Sequence, residues 1–470
     1  MLVLAWLAGC GKQNAGGDPG SAPPVQEPLK TDVEFYLTQP DQFQLFKKQQ
    51  VSLLFSASTG PFRTIEVNEG TTYQTIEGFG YTLTGGSAML INSLPAKTKE
   101  SLLKELFLTD SGGIGVSYLR ISLGASDLSM VPYTYDDVPA GQTDPTLKYF
   151  TLDRERTDLI PVLKQILALA PDIRIMASPW TAPPWMKTND SFVGGSLEPG
   201  YYGVYARYLV RYLQEMAAEG IPVDAITPQN EPLHGGNNPS MVMQASEQAA
   251  FIRDHLGPAM EAAGLRTKII IYDHNADRPD YPISVLNDRG ARKYITGSAF
   301  HLYGGSIAAL GTVHDAHPDK GIYFTEQWVG GPGNFGGDLQ WHVTNLIVGA
   351  TRNWSRTVLE WNLAADPQYR PHTSGGCTNC LGALTIGAGV KRNVAYYIIA
   401  HASKFVRPGS VRIETNMPAD IPNVAFKTPE GRKVLIAINT GTSAQSFNIK
   451  HEGRSVISML NAGSVGTYVW

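Results

Sequence analysis

Two glutamates stand where short apolar runs stop. One closes Ala225-Ile226-Thr227-Pro228-Gln229-Asn230-Glu231-Pro232, and the other closes Ile322-Tyr323-Phe324-Thr325-Glu326-Gln327-Trp328. A carboxylate at the end of a hydrophobic strand loses hydration and needs a partner or a task. Two such ends converging on a common mouth would supply paired-carboxylate chemistry, with one group protonated and the other ionised by its surroundings. At a separation of about 5–5.5 Å such a pair cleaves glycosidic bonds with retention, through a covalent sugar–enzyme intermediate. Either glutamate alone reads equally well as an ion pair or a strand-end cap. Around them, at other apparent strand ends, lie Arg120, Trp180, Asn230, His301, Tyr303, Trp328, Trp361 and Asn362. Indole faces and amide donors suit a sugar ring. His301 and Tyr303, two apart on one strand, share a face and are expected at the mouth. The residues of other hydrolytic chemistries are missing: the sequence has no Gly-x-Ser-x-Gly elbow, no His-Glu-x-x-His helix and no Walker loop.

Such residues need elements that bring them together. Strand-like runs fall at 75–80, 116–122, 173–178, 225–229, 268–272, 297–302, 322–325 and 356–361. Helical patterns fill the gaps. Over 201–218, Val204, Tyr208, Tyr212 and Met216 share a face, and Gly220 follows as a stop. The run 248–263 stops at Gly264, and Gly257-Pro258 is expected to kink or break it. Alternating β and α units predict an α/β fold, a (β/α)8 TIM barrel, which carries its site on the loops after the strands. Glu231 and Glu326 then end the fourth and seventh strands. Both flanks of the chain alternate with period two, at 51–55 and 64–68 and again at 434–439, 446–450 and 455–458. The two chain ends are therefore expected to pair in a small antiparallel β-sandwich side domain. The organisation expected is a signal and tether over 1–30, side-domain strands over 31–72, the barrel over 73–405 and further side-domain strands over 406–470.

The chain has 470 residues, 43% hydrophobic and 17% charged, enough to bury a large core. The net charge of −4 is spread without a basic block, so nothing points to nucleic acid. Asp273, His274 and Asp277 could suggest metal binding but read as loop contacts. At the N-terminus an apolar run enters Leu7-Ala8-Gly9-Cys10, which resembles a bacterial lipobox with Cys10 as the lipidated residue. The alternative is an ordinary secretory signal with a chance cysteine. Residues 11–30, rich in Gly, Pro, Ala and Gln, would tether a domain to the membrane. The expected location is the bacterial cell envelope, as an exported lipoprotein of the outer membrane. In an exported chain the remaining Cys377 and Cys380 are most simply a small-loop disulfide.

Taken in order, several segments resemble glycoside hydrolase family 30, the glucosylceramidase-like family. They are the run 75–85, Ser178-Pro179-Trp180-Thr181-Ala182-Pro183-Pro184-Trp185, Gln229-Asn230-Glu231-Pro232, Phe300-His301-Leu302-Tyr303, Phe324-Thr325-Glu326-Gln327 and Glu360-Trp361-Asn362. The resemblance implies Glu231 as acid/base and Glu326 as nucleophile, with no cofactor or metal. It implies that Asn230 meets the sugar 2-hydroxyl, that Trp180, Trp361 and Asn362 line the pocket, that Tyr303 supports the nucleophile and that Arg120 braces the floor. The family often has Thr-Asp in its first strand motif, with the Asp reaching far hydroxyls of the sugar. Here the motif is Thr84-Gly85-Gly86. This form, the run 270–275 and the loop around Cys377 and Cys380 are more similar to the bacterial branch that cleaves β-1,6-glucan. The reading is a retaining β-glycoside hydrolase, an endo-β-1,6-glucanase acting on β-glucan. The alternatives are an exo-acting β-glucosylceramidase or β-glucosidase, and, from another class, a catalytically silent glycan-binding lipoprotein.

Overall fold

The computed structural model describes residues 29–110 and 112–470. Eight parallel strands close a barrel: β1 (Gly78–Leu83), β2 (Tyr118–Leu123), β3 (Arg174–Pro179), β4 (Ala225–Ile226), β5 (Lys268–Ala276), β6 (Ile295–Gly305), β7 (Gly321–Glu326) and β8 (Ser355–Asn362). Strand β8 pairs with β1 to complete the ring. Each strand overlaps one of the runs read from the sequence. Strand β4 is short because Pro228 has no N–H with which to extend the ladder.

The barrel interior is layered by the two-residue period of its strands. Tyr118, Met176, Ala225, Ile270, Ala299, Tyr323 and Leu359 form an apolar plug. Two residues further along six of those strands come Arg120, Ser178, Thr227, His301, Thr325 and Trp361, all buried. A mostly polar layer therefore rests on an apolar one, just below the mouth. Strand β5 reaches that layer differently. Tyr272 and Asp273 both have positive φ, 73° and 60°, and the pairing of β5 with β6 slips between Tyr272 and His274. The slip turns Asp273 into the interior.

The helix Tyr202–Ala218 buries Tyr205, Tyr208, Tyr212 and Met216 against the barrel. The helix expected to kink at Gly257-Pro258 instead runs through: Ala245–Phe251 passes into a π-helical stretch, Ile252–Leu256, and on into Gly257–Ala262. Proline removes one backbone donor, and the wider π turn absorbs that loss without a break.

The side domain is one nine-stranded sheet to which both ends of the described chain contribute. Its order is Lys47–Lys48, Glu34–Thr38, Val465–Val469, Lys433–Ile438, Asn423–Lys427, Val411–Thr415, Arg63–Thr75, Gln445–His451 and Arg454–Leu460. Pairing is antiparallel except between Arg63–Thr75 and Gln445–His451. The sheet folds over on itself. Tyr468, third in that order, stacks on Phe35 at 4.6 Å and meets Phe447, eighth in order, at 6.0 Å. Alternate residues serve two cores: Leu435 and Ala437 pack inside this fold, while Val434, Ile436 and Ile438 join the barrel's core. Phe426 also meets Phe79 of β1, at 6.4 Å. The run 51–55 is not a ladder strand. It lies beside the sheet, where the Leu53 carbonyl accepts from the backbone of Asp32 and Val33 and Ser56 forms an isolated bridge to Ser455.

No helix among the described residues is long and apolar enough to cross a membrane. Cys10, with the rest of residues 1–28, lies outside the described residues.

Candidate active site

Glu231 follows β4 and Glu326 ends β7, and both turn into the barrel mouth. One carboxylate oxygen of each lies within 4.8 Å of the other. Glu231 is held in a left-handed conformation, φ 46°, and its N–H donates to the Asp273 carbonyl at 2.9 Å. A non-glycine residue in this region is uncommon and is kept by its surroundings. Both oxygens of Glu326 are held. Oε2 accepts from Arg120 Nη1 at 2.5 Å, and Oε1 accepts from the Tyr303 hydroxyl at 2.9 Å.

Arg120 is fully buried beneath the pair. Its Nη2 donates to Asp273 Oδ2 at 2.8 Å and to Asn230 Oδ1 at 2.6 Å, and its Nε to Ser178 Oγ at 3.2 Å. Its guanidinium also lies 4.8 Å from the Trp180 ring centroid. Asp273 is the counter-charge. Besides Arg120, its Oδ2 accepts from Ser178 and Thr227 at 3.0 and 2.9 Å, and its Oδ1 from Thr325 at 2.7 Å. His301 Nε2 lies 3.1 Å from the same Oδ1, and His301 Nδ1 lies 3.4 Å from Glu231 Oε1.

These contacts shape the titrations. Burial alone would push Asp273 up, but the Arg120 charge and the His301 hydrogen bond hold it well below the usual carboxylate range. Burial likewise acts on Glu231, where the nearby imidazoles, His274 at 3.8 Å and His301 at 3.4 Å, prevail and hold it low. Glu326 goes the other way: burial raises it, His301 and Arg120 offset part of this, and Glu231 adds to the rise. His301 is lowered by burial but raised more by Glu326, Asp273 and Glu231, to about 9.

Above this floor opens a cavity of about 680 Å³ bordered by Trp180, Trp328, Trp361, Tyr303, Asp127 and the Cys377–Cys380 pair. Trp180 and Trp361 stand 5.5 Å apart, centroid to centroid. Cys377 and Cys380 are disulfide-bonded. Their loop straps the mouth: Gly330–Cys380 and Val329–Leu381 pair as a short ladder after β7, and Asn238 Nδ2 donates to the Ser374 carbonyl at 2.8 Å. The strap also positions Asp127. Thr373 N–H donates to the Asp127 carbonyl at 2.8 Å, and Cys377 N–H to Asp127 Oδ2 at 3.2 Å. Burial, with the charges of Glu326 and Glu231 nearby, pushes the Asp127 carboxyl up to about 7.

Residues 76–406 match the glycosyl hydrolase family 30 TIM-barrel domain, and residues 409–468 match the family's beta sandwich domain. The chain belongs to glycosyl hydrolase family 30. It is a glycosidase. An endo-1,6-beta-D-glucanase of Aspergillus fumigatus, neg1, is 36% identical over 395 residues, covering 78% of this chain and 79% of that protein. The lysosomal acid glucosylceramidase of Mus musculus is 30% identical over 429 residues, covering 85% and 81% of the two chains. The solved structure of the endo-beta1,6-glucanase BT3312 superposes with a TM-score of 0.87 at 35% identity, covering 93% of this chain and 99% of that one.

In this family 30 chain the residues read as substrate-binding divide in two. Trp180, Tyr303 and Trp361 border the cavity. Arg120, Asn230, His301 and Asn362 lie beneath or behind it, buried. His301 is not at the mouth with Tyr303. It is fully enclosed, because a layer holding three carboxylates draws its cationic and polar side chains inward. Asp273 is likewise no loop contact but the centre of the buried network. Gly85 does not border the catalytic cavity. It faces a separate pocket with Ser129, Tyr133 and Glu155, where an added Cβ would meet Ser129 Oγ at 3.4 Å. The further carboxyl in the catalytic cavity is Asp127, which the sequence reading passed over. Its only signal was its position in the loop after β2.

Proposed function

We propose that this family 30 glycosidase is an endo-β-1,6-glucanase working with retention by double displacement. The observation that carries the mechanism is the approach of Glu231 and Glu326 to within 4.8 Å between oxygens. Inverting enzymes hold their carboxyls about 6.5–9.5 Å apart to admit a water molecule. Glu326 attacks the anomeric carbon, with Arg120 and Tyr303 fixing its orientation. Glu231 protonates the leaving oxygen and then takes a proton from the water that releases the sugar. Asn230 gives its carbonyl to Arg120, which frees its amide N–H to donate to the 2-hydroxyl. Asp127 has one oxygen on Cys377 and offers the other to sugar hydroxyls, while Trp180 and Trp361 pack on the ring.

The β-1,6 linkage is supported by relatives named as endo-1,6-glucanases at 35–36% identity across most of the chain. Lipidation at Cys10 would anchor the enzyme in the bacterial envelope, where a polymer too large to cross an outer membrane must be cut. Product analysis tests the reading, with linear β-1,6-glucan, β-1,3-glucan, an aryl β-glucoside and glucosylceramide as substrates. A ladder of β-1,6-linked oligosaccharides from the first alone, released initially as β-anomers, is expected. Glucose released mainly from the small glucosides would move the assignment to an exo-glucosidase, and initial α-anomers would overturn retention.

A further inference from the structure

Among the described residues His301 is the one imidazole in contact with both the candidate acid and the central counter-charge, and it cannot touch a sugar. It is fully buried and absent from the cavity wall. Its Nε2 is 3.1 Å from Asp273 Oδ1, while its Nδ1 is 3.4 Å from Glu231 Oε1 and 3.9 Å from Glu326 Oε1. Asp273 is saturated by donors from Arg120, Ser178, Thr227 and Thr325, so it accepts from His301 and has no proton to give.

The charged and titratable groups facing the imidazole are Arg120 from β2, Glu231 after β4, Asp273 and His274 from β5, Tyr303 on its own strand and Glu326 from β7. Three carboxyls meet one permanent cation. Burial lowers His301, but Glu326, Asp273 and Glu231 push its imidazolium up to about 9, while Glu231 is held low. The first catalytic step needs the reverse, a proton on Glu231.

We propose that His301, backed by Asp273, stores the proton of the acid/base and passes it from Nδ1 to Glu231 Oε1 when a glycosidic oxygen enters the site. This rests on the reading of Glu231 as acid/base. In the transfer the imidazolium Nδ1–H bond breaks and an O–H bond forms on Glu231. The neutral imidazole keeps its Nε2–H on Asp273. Glu231 then gives that proton to the leaving oxygen as the C1–O bond breaks and Glu326 bonds to C1. In the second step water attacks C1, the Glu326–C1 bond breaks, and the water's proton goes to Glu231 and returns to His301. His301 is thus a positioning residue for a proton, acting through Glu231.

Two measurements test this, and the first needs no substrate. The chain has 10 histidines. In the full-length protein labelled with 15N-histidine, one ring should still show imidazolium shifts at about pH 8, above the ordinary histidine range. That signal should move to lower pH in Glu231→Gln. Absence of any imidazolium at that pH would overturn the proposal, whatever the enzyme cleaves. The second is kinetics of His301→Gln on aryl glycosides of a β-1,6-linked gluco-oligosaccharide, which an endo-acting enzyme can bind. A poor leaving group should lose about 100-fold in kcat/KM and a 2,4-dinitrophenyl leaving group under about 5-fold, since only the former needs the acid. The basic limb of the pH profile should also fall by about one unit or more. Equal losses on both substrates with an unmoved basic limb would reduce His301 to a packing role and overturn the proposal. A wild-type enzyme inactive on these glycosides and on β-1,6-glucan would instead count against the proposed function, and the spectra would still decide the proton.

Discussion

Arg120→Met removes the charge on which the barrel's polar layer depends while keeping much of its volume. Arg120 makes hydrogen bonds of 2.5 to 3.2 Å to Glu326, Asn230, Asp273 and Ser178, all without solvent. Removing one partner of a buried ion pair leaves the other charge uncompensated, at a cost of about 3–5 kcal/mol. For a chain of this size that is a fall in Tm of roughly 3–5 °C. The sign of the pH dependence follows from Asp273. In the wild type its carboxyl is held below the usual range, so its contribution is present above the unfolded carboxylate pKa and is lost only as pH falls through the lower folded value. Without the guanidinium, burial drives Asp273 and Glu326 upward, and folding takes up protons. The penalty of the substitution should therefore be larger near pH 7.5 than near pH 5. Urea denaturation at both values measures it. A penalty under about 1 kcal/mol, or one independent of pH, would refute the view that Arg120 compensates buried carboxylates. Arg120→Met with Asp273→Asn should recover part of the loss, since the two residues share one hydrogen-bonded pair.

Three further outcomes are expected. Glu326→Gln should lower kcat by at least about 10³-fold while leaving polysaccharide binding by calorimetry nearly intact, because it removes an interaction made only along the reaction path; retained turnover would refute the nucleophile role, and binding by a wild type that shows no turnover would favour the glycan-binding alternative. Cys377→Ser with Cys380→Ser should destabilise by about 2 kcal/mol, as loop closure predicts for so short a span, and should raise KM more than it lowers kcat because Cys377 N–H orients Asp127; an unchanged KM would separate the strap from the sugar site. For Asp127, whose carboxyl titrates at about 7, KM should fall as pH rises from about 6 to 8 and the group ionises into a better acceptor; Asp127→Asn should raise KM and abolish that dependence, as read from initial rates across the range.

The barrel was legible because its strands are short apolar runs with punctuation on both sides, and because eight of them in alternation with helical patterns admit few other folds. Glu231 and Glu326 were legible for a local reason too: each follows directly on such a run, where a carboxylate is anomalous. The parts that escaped depend on contacts between distant residues. Asp273 looked like a loop residue because the slip at Tyr272 and Asp273 has no composition signal; it is a backbone event, made tolerable by the hydrogen bond from Glu231 N–H to the Asp273 carbonyl. His301 and Tyr303 should share a face by strand periodicity, and they do lie on one strand, yet one is enclosed and the other meets solvent because β6 runs past its neighbours and loses register near its end. Asp127 was missed since it owes its position to the strap some 250 residues later, through Cys377 and Thr373. The run 51–55 alternates like its neighbours but finds no strand to pair with. A period-two pattern states which face is apolar; whether a ladder forms depends on a partner elsewhere in the chain. The same holds for the chemistry. Two glutamates of one type acquire different surroundings here because Arg120 and Tyr303 are committed to one and His301 to the other, and those commitments are written in the ring closure of the barrel rather than beside either residue.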